Sequence, residues 1–444
     1  MKRFFTLPLA ILVLVLSAIC ATAQVNNYYV NSSSGSDASN GSQASPWKTI
    51  NHADSALALG AAGTIVHVAA CPSSTPCYLG VANHHNGTAS QRITFLSDTK
   101  WGAKVKSGTF GASNPAGWEQ WGSYTTIQDF DITSPGTMGI AVYADHAWEV
   151  GNHVHDTTGF AYPGDYAYYA PTPGCANYAA GIVVDSGHDH PGSMITGNVI
   201  HDISYALPVT DPNTGQPTPN AQNCNTGVGI YSAGSKGVVQ NNIVYRVLVN
   251  GVATNHRATG MSITNNIIFS ISKPGQTYGR GLLLASGPEG GPLSSSTINN
   301  NVVRDVAGQG QGIYCGGGIG SGNLLQANIV FGQAGVANSC GSGFTTNTIT
   351  SNPLFLNYNP NPADPTVSGG SVSWSNADYH LQANSPAVGS GSSLCAAGGT
   401  LPCILTTDFD GVARANPPSI GANEFSTSAP LDLHAPTNLT ATVH

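Results

Sequence analysis

Apolar residues in this chain come in short runs that open on one of two residues. The first kind opens on asparagine: Asn152-His-Val-His-Asp, Asn198-Val-Ile-His-Asp, Asn242-Ile-Val-Tyr-Arg, Asn266-Ile-Ile-Phe-Ser, Asn301-Val-Val-Arg-Asp and Asn328-Ile-Val-Phe-Gly, with Asp129-Phe-Asp-Ile-Thr a degenerate copy upstream. The second kind lies between these copies and opens on glycine: Gly139-Ile-Ala-Val-Tyr, Gly181-Ile-Val-Val-Asp, Gly227-Val-Gly-Ile-Tyr, Gly251-Val-Ala-Thr-Asn and Gly281-Leu-Leu-Leu-Ala. The shortest spacings are 23 residues (129 to 152), 24 (242 to 266) and 27 (301 to 328). A short strand, a turn and two more strands need about that much chain at roughly 3.3 Å per residue. Self-similarity at such a period predicts a solenoid. Stacking aligns like with like, so the asparagines form an amide ladder and the valines and isoleucines beneath them fill the interior.

This pattern resembles the right-handed parallel β-helix proteins, and the resemblance covers most of the chain after its first residues. Tyr28-Tyr29-Val30, Gly35-Ser36-Asp37, Gly41 and Ser45-Pro46-Trp47-Lys48-Thr49-Ile50 look like the first coil of secreted β-helix proteins, including polysaccharide lyase family 9. Residues 49–59 read as an amphipathic capping helix. Asp378-Tyr-His-Leu-Gln-Ala-Asn-Ser-Pro-Ala, Asp408-Phe-Asp-Gly and Ile420-Gly-Ala-Asn-Glu-Phe resemble the terminal segment of such proteins. The expected fold is all-β: a right-handed parallel β-helix with an N-terminal capping helix and a C-terminal capping segment. Its expected divisions are a first coil and cap over 24–70, coils with inserted loops over 71–350, and a C-terminal cap over 351–425. Residues 426–444 read as linker, although Ala435-Pro-Thr-Asn-Leu-Thr-Ala-Thr-Val looks like the first strand of a fibronectin-type module.

The first 23 residues read as a secretory signal peptide: Met1-Lys2-Arg3, an apolar stretch from Phe4 to Ile19, then Ala21-Thr22-Ala23. That run is too short for a membrane span, and no later stretch is long and apolar enough. A secreted, extracellular or periplasmic protein is expected. Its eight remaining cysteines, in an oxidising compartment, are expected to pair. Close spacing suggests Cys71 with Cys77, Cys315 with Cys340 and Cys395 with Cys403, leaving Cys175 for Cys224. Charged residues make up only 8% of the chain and the formal charge is -8, with no basic patch, which argues against a nucleic-acid partner. A hydrophobic content of 41% argues for a packed core. A monomer is expected.

Two spacings exceed one coil, 46 residues (152 to 198) and 44 (198 to 242), and in both the extra chain enters just after the asparagine strand. Inserts gathered on one face of a solenoid usually build its binding surface. The first, 160–178, holds Tyr162, Tyr166, Tyr168, Tyr169 and Cys175; the second, 205–223, runs up to Cys224. Tyrosines offer apolar faces to sugar rings and hydroxyls to their polar groups. They also serve simply to cover sheet edges.

The clustered ionisable groups fall in the same region: Asp145-His146, Asp185-Ser-Gly-His188-Asp189-His190, Lys236 and Asn255-His256-Arg257. Where charge is this scarce, such groups are paired, solvent-facing or functional. Asp185-x-Gly-x-Asp189 is similar to the calcium-binding stretch of polysaccharide lyase family 9, whose pattern continues to a lysine base on the next coil. That resemblance implies calcium on Asp145, Asp185 and Asp189, with Lys236 as base. The family's paired aspartates are Asp185-Ser186 here, one ligand fewer. Polysaccharide lyase family 6 implies the same lysine, with Arg257, 21 residues on, as acid. Its glutamate pair has no counterpart in Gly229-Ile-Tyr231. The chemistry suits these residue types: β-elimination from a uronate needs its carboxylate neutralised and its C5 proton removed. His188, Tyr231, Asn255 and His256 join the tyrosines as candidate substrate contacts.

Other readings of the same residues are structural. Asp185 and Asp189 can cap turns, and Lys236 in Gly-Ser-Lys-Gly reads naturally as an exposed turn residue. His155 and His201 share one offset from the ladder asparagine, where later coils carry Tyr245 and Phe269, and so read as a stacked ladder. His188 and His190 with Asp189 make a weak transition-metal pattern. The leading functional expectation is an extracellular polysaccharide partner and a calcium-assisted, pectate-lyase-like enzyme. Its alternatives are a non-catalytic glycan-binding or adhesive β-helix and a hydrolase that uses Asp145 and Asp185 on a neutral glycan.

Overall fold

The computed structural model describes residues 25–57, 63–107, 116–134, 137–157, 179–184, 187–205, 227–273, 278–286, 292–308, 310–317, 320–332, 335–336, 340–341, 348–397, 399–400 and 403–426. Each coil passes through three short strands, and each strand pairs in parallel with its counterparts in the neighbouring coils. The first sheet has ten strands, from Asn26–Val30 to Leu324–Gln326; the second has ten, from Tyr78–Leu79 to Thr348–Ile349; the third has nine, from Val81–Asn83 to Gly335–Val336. The chain is therefore a parallel β-helix, with the right-handed sense that strand–crossover–strand connections take.

The asparagine ladder occupies the turn from the first sheet to the second, where Asn152, Asn198, Asn242, Asn266, Asn301 and Asn328 are all wholly buried. Each asparagine N–H donates to the Oδ1 of the next rung: Asn152 to Asn198 at 2.8 Å, Asn198 to Asn242 at 3.0 Å and Asn242 to Asn266 at 3.0 Å. The residue just before each rung has left-handed backbone: Gly151 (φ 65°), Gly197 (67°), Asn241 (55°), Asn265 (57°), Asn300 (60°) and Ala327 (50°). Glycine and asparagine tolerate that conformation best, which accounts for the Gly-Asn and Asn-Asn pairs in the sequence.

Two residues past each rung, Val154, Ile200, Val244, Ile268, Val303 and Val330 point into the interior and form the core with Ile140, Ile182, Ile127 and Ile195 from the other two sheets. The glycines that open the third-sheet strands are needed for this packing: a Cβ on Gly139 would sit 2.3 Å from Val154 Cγ1. At the N-terminal end the helix Ile50–Ala56 places Ile50, Ala53 and Leu57 in the core. Thr49 caps it, its hydroxyl accepting the His52 N–H at 3.1 Å.

After the last coil the chain folds back along the outer face of the second sheet. Phe355, Tyr379, Leu381 and Ile420 pack there on Tyr245, Phe269 and Val302. Outward amides of successive coils donate to carbonyls of this segment: Asn241 to Thr407 at 2.9 Å, Asn265 to Ser419 at 3.1 Å and Asn300 to Ser392 at 3.0 Å. Disulfides join Cys71 to Cys77, Cys315 to Cys340 and Cys395 to Cys403, the three pairs suggested by spacing. Cys175 and Cys224 lie outside the described residues. Among the described residues, no helix is long and apolar enough to cross a membrane.

Candidate functional site

The turn from the third sheet to the first carries Asp145, His146, Asp189, Lys236 and Arg257. Pairing of Thr126, Trp148, Met194, Val238 and Ser262 across the first sheet sets the register there. Two residues upstream of these positions stand Tyr124, His146, Gly192, Lys236 and Gly260, all with left-handed backbone, φ between 53° and 72°. Lys236 thus lies in a continuous line of tight turns, exposed, between two glycines. Adjacent turns are bonded: the Lys236 N–H donates to Thr259 O at 2.7 Å, and the Arg257 N–H donates to Ala233 O at 3.1 Å. The turns that carry Lys236 and Arg257 are therefore adjacent on neighbouring coils.

One coil earlier, Gly192 leaves room for the His146 ring, since a Cβ there would lie 2.3 Å from His146 Nδ1. That ring stacks on Tyr124 at 4.6 Å. Burial holds the His146 pKa below the usual histidine range against the pull of Asp145, and the charges of Arg92 and Lys236 add to the effect. Asp145 Oδ1 meets His190 Nδ1 at 3.1 Å. Asp189 caps the next turn, its two oxygens accepting the Ser235 N–H at 2.7 Å and the Ser235 hydroxyl at 2.8 Å.

His188 is exposed beside His190, their ring centroids 6.3 Å apart. Tyr231 lies on the outer face of the third sheet, in register with Val183 and Ala253, and meets the His256 ring edge-on at 6.3 Å. His256 has φ 52°, and Asn255 O accepts the Ala258 N–H at 3.1 Å. Asp185, Tyr162, Tyr166, Tyr168 and Tyr169 lie outside the described residues.

A calcium ion takes six to eight oxygens. Among the described residues, Asp145 and Asp189 belong to no group of three or more ligand-bearing side chains close enough to share an ion. Asp189 already bonds Ser235 with both oxygens. Asp185, the third carboxylate expected to bind the ion, lies outside the described residues.

Aromatic residues on the same outer face went unnoticed in the sequence. Past the ends of three successive third-sheet strands, His84 stacks on Trp121 at 6.3 Å and Trp121 on Tyr143 at 4.1 Å. Trp121 is 44% exposed, and the row leads towards the Asp145–His190 contact. Its signal in the sequence is weak: Trp121 and Tyr143 each stand four residues past a strand glycine, Gly117 and Gly139, but Glu119 and Gln120 break the apolar run of the first.

Fold and turns together define a parallel β-helix with Asp145, His146, Asp189, Lys236 and Arg257 on adjacent turns between the third and first sheets. No family model matches the chain, and no curated protein matches it. Among solved structures it is similar to the pectate lyase Pel9A (14% identity, TM-score 0.46, covering 90% of this chain and 96% of that one). It is also similar to a rhamnogalacturonan lyase (14%, 0.40, 69% and 72%) and to an alginate lyase from Paenibacillus sp. str. FPU-7 (15%, 0.38, 65% and 92%).

Proposed function

We propose that this protein is a carbohydrate-active β-helix that cleaves a uronate-containing polysaccharide by β-elimination, with Lys236 as base and Arg257 as its partner. The observation that carries this reading is the pair of backbone hydrogen bonds tying the Lys236 turn to the Arg257 turn. They set an amine and a guanidinium on adjacent coils of a chain with few charges. Elimination needs both. Arg257 pairs with the uronate carboxylate and makes the C5 proton more acidic. Lys236, as the free amine, removes that proton. The pair of electrons left on C5 forms the C4–C5 double bond as the C4–O bond breaks, and the leaving oxygen takes up a proton from solvent water.

Removing a general base typically costs about 100-fold or more in rate. Lys236→Ala is therefore expected to release unsaturated uronides, followed by ultraviolet absorbance on pectic and alginate-like substrates, about 100-fold more slowly than wild type. Equal rates would sink the proposal. Repeating the assay with calcium and then with chelator separates a calcium-assisted reaction from one run by the two side chains alone.

The row His84, Trp121 and Tyr143 supports a second reading, a glycan-binding protein without catalysis. That reading requires no unsaturated product from any polysaccharide, together with binding that Trp121→Ala abolishes.

A further inference from the structure

On the outer face of the second sheet, at the far side of the coil from Lys236, stand three histidines. His155 pairs in register with His201, and both continue into Tyr245 and Phe269, so they form the stacked ladder that the repeat implies. His153 does not fit that ladder. Its register partners in later coils are Val199, Ile243, Ile267, Val302 and Ile329, all apolar. The side chains of His153, His155 and His201 are 5%, 13% and 1% exposed.

The ring nitrogens sort into two sets. His201 Nδ1 lies 2.6 Å from Asp202 Oδ2 and His155 Nδ1 lies 2.9 Å from Asp156 Oδ2, while His153 Nδ1 faces Asp131 Oδ2 at 3.8 Å. Every Nδ1 thus faces a carboxylate. On the other side, His153 Nε2 meets His201 Nε2 at 2.8 Å. The ring centroids of that pair are 4.9 Å apart, about the separation of two rings meeting nitrogen to nitrogen. His155 stacks on His153 at 4.1 Å, and its Nε2 lies 2.9 Å from Asp131 Oδ1.

Placing the protons exposes a conflict. His201 Nδ1 is 3.3 Å from Arg246 Nη2, but its shorter contact is with the Asp202 carboxylate, so it carries the hydrogen and leaves a lone pair on Nε2. The 2.8 Å contact between the two Nε2 atoms then takes its hydrogen from His153, and a neutral His153 ring turns a bare Nδ1 towards the Asp131 carboxylate. A cation between the two Nε2 atoms removes the conflict. Both Nε2 lone pairs then face the ion, and both Nδ1 hydrogens face carboxylates, the carboxylate–histidine–metal arrangement that fixes imidazole ligands.

We propose that His153 and His201 hold a divalent late transition metal ion between their Nε2 atoms, with His155 as third ligand and Asp131, Asp156 and Asp202 as the carboxylates behind them. Imidazole donors suit zinc, copper and nickel rather than calcium. Zinc–nitrogen bonds of about 2.0–2.1 Å put tetrahedral ligand nitrogens a little over 3 Å apart, so the pair opens by a few tenths of an ångström to admit the ion. His155 turns its Nε2 from Asp131 to complete the set, and Asp131 keeps its ion pair with Lys104 at 2.5 Å.

The test uses the full chain, stripped with chelator, loaded with Zn²⁺ or Co²⁺ and desalted. The repeat supplies substitutions that the fold already accepts: His153→Val installs what the next coil carries at that register, and His201→Tyr does the same. Wild type is expected to retain about one equivalent of metal and, with Co²⁺, to show the visible bands of a nitrogen-ligated site. Each variant should bind about 100-fold more weakly or worse, with an unchanged circular dichroism spectrum. The double variant His188→Ala/His190→Ala should bind as wild type does. Wild type that retains no metal, or His153→Val that retains as much as wild type, overturns the proposal. So does loss of the metal only in the His188/His190 variant.

Discussion

Asn242→Ala is expected to lower the unfolding free energy by about 2 to 4 kcal/mol, as a shift in the denaturant midpoint. The Asn242 Nδ2 donates to Ile195 O at 2.9 Å, and its Oδ1 accepts the Asn198 backbone N–H at 3.0 Å. Truncation leaves the Asn198 N–H buried and unpaired, at about 1–3 kcal/mol, takes one of two bonds from Ile195 O, which the first-sheet pairing of Thr196 with Gln240 still engages, and adds a small cavity. Neighbouring side-chain amides are less affected, because Asn198 Nδ2 still reaches Glu149 O at 2.9 Å and Asn266 Oδ1 still accepts the Asn242 N–H. Asn255→Ala, one residue beyond a third-sheet strand and partly exposed, is the control and should stay within about 0.5 kcal/mol of wild type. Equal losses from the two variants would mean that the ladder contributes no more than a surface amide.

Glu149→Ile is expected to make the protein more stable than wild type at alkaline pH and to remove most of that difference near pH 4. Glu149 points into the core between Ile127 and Ile195, wholly buried, and neither carboxylate oxygen has a hydrogen-bond partner among the described residues. Burial pushes its pKa from 4.5 up to about 8, against the opposing charge of Arg92. A folded-state pKa above the unfolded value means that the wild-type contribution is intact below about pH 4.5 and is lost as pH rises through about 8. The rise corresponds to on the order of 5 kcal/mol at pH 9, where folding must bury a charge. Isoleucine, the residue on both neighbouring coils, carries no such cost. Thermal melts of both proteins from pH 4 to pH 9 give the result; parallel curves across that range would show that Glu149 does not titrate between these limits.

The fold was legible because its determinants repeat. The ladder asparagines, the glycine-led strands and the apolar residue two past each rung recur in sequence as they stack in space. The first-sheet strands, such as Trp148–Val150 and Val238–Gln240, are three residues long and show little pattern of their own. That brevity hid the inward turn of Glu149, which reads in sequence as an ordinary exposed charge. The site was legible only as a list of residue types. Asp189 caps a turn formed by Ser235, 46 residues later, and the backbone bonds joining the Lys236 and Arg257 turns depend on coil register. His153 was hidden differently, because a histidine beside a ladder asparagine reads as part of the repeat until its apolar register partners are known.

The returning C-terminal segment changes how the molecule responds to load. A solenoid held only by neighbour contacts peels from an end, one coil at a time. Here Asn241, Asn265 and Asn300, on three successive coils, all bond one continuous length of chain. A force that separates two of those coils must also shear that length along the sheet, so several bonds resist together instead of in turn. These coils, which carry the seventh to ninth of the ten first-sheet strands, are thereby laced as a single mechanical unit.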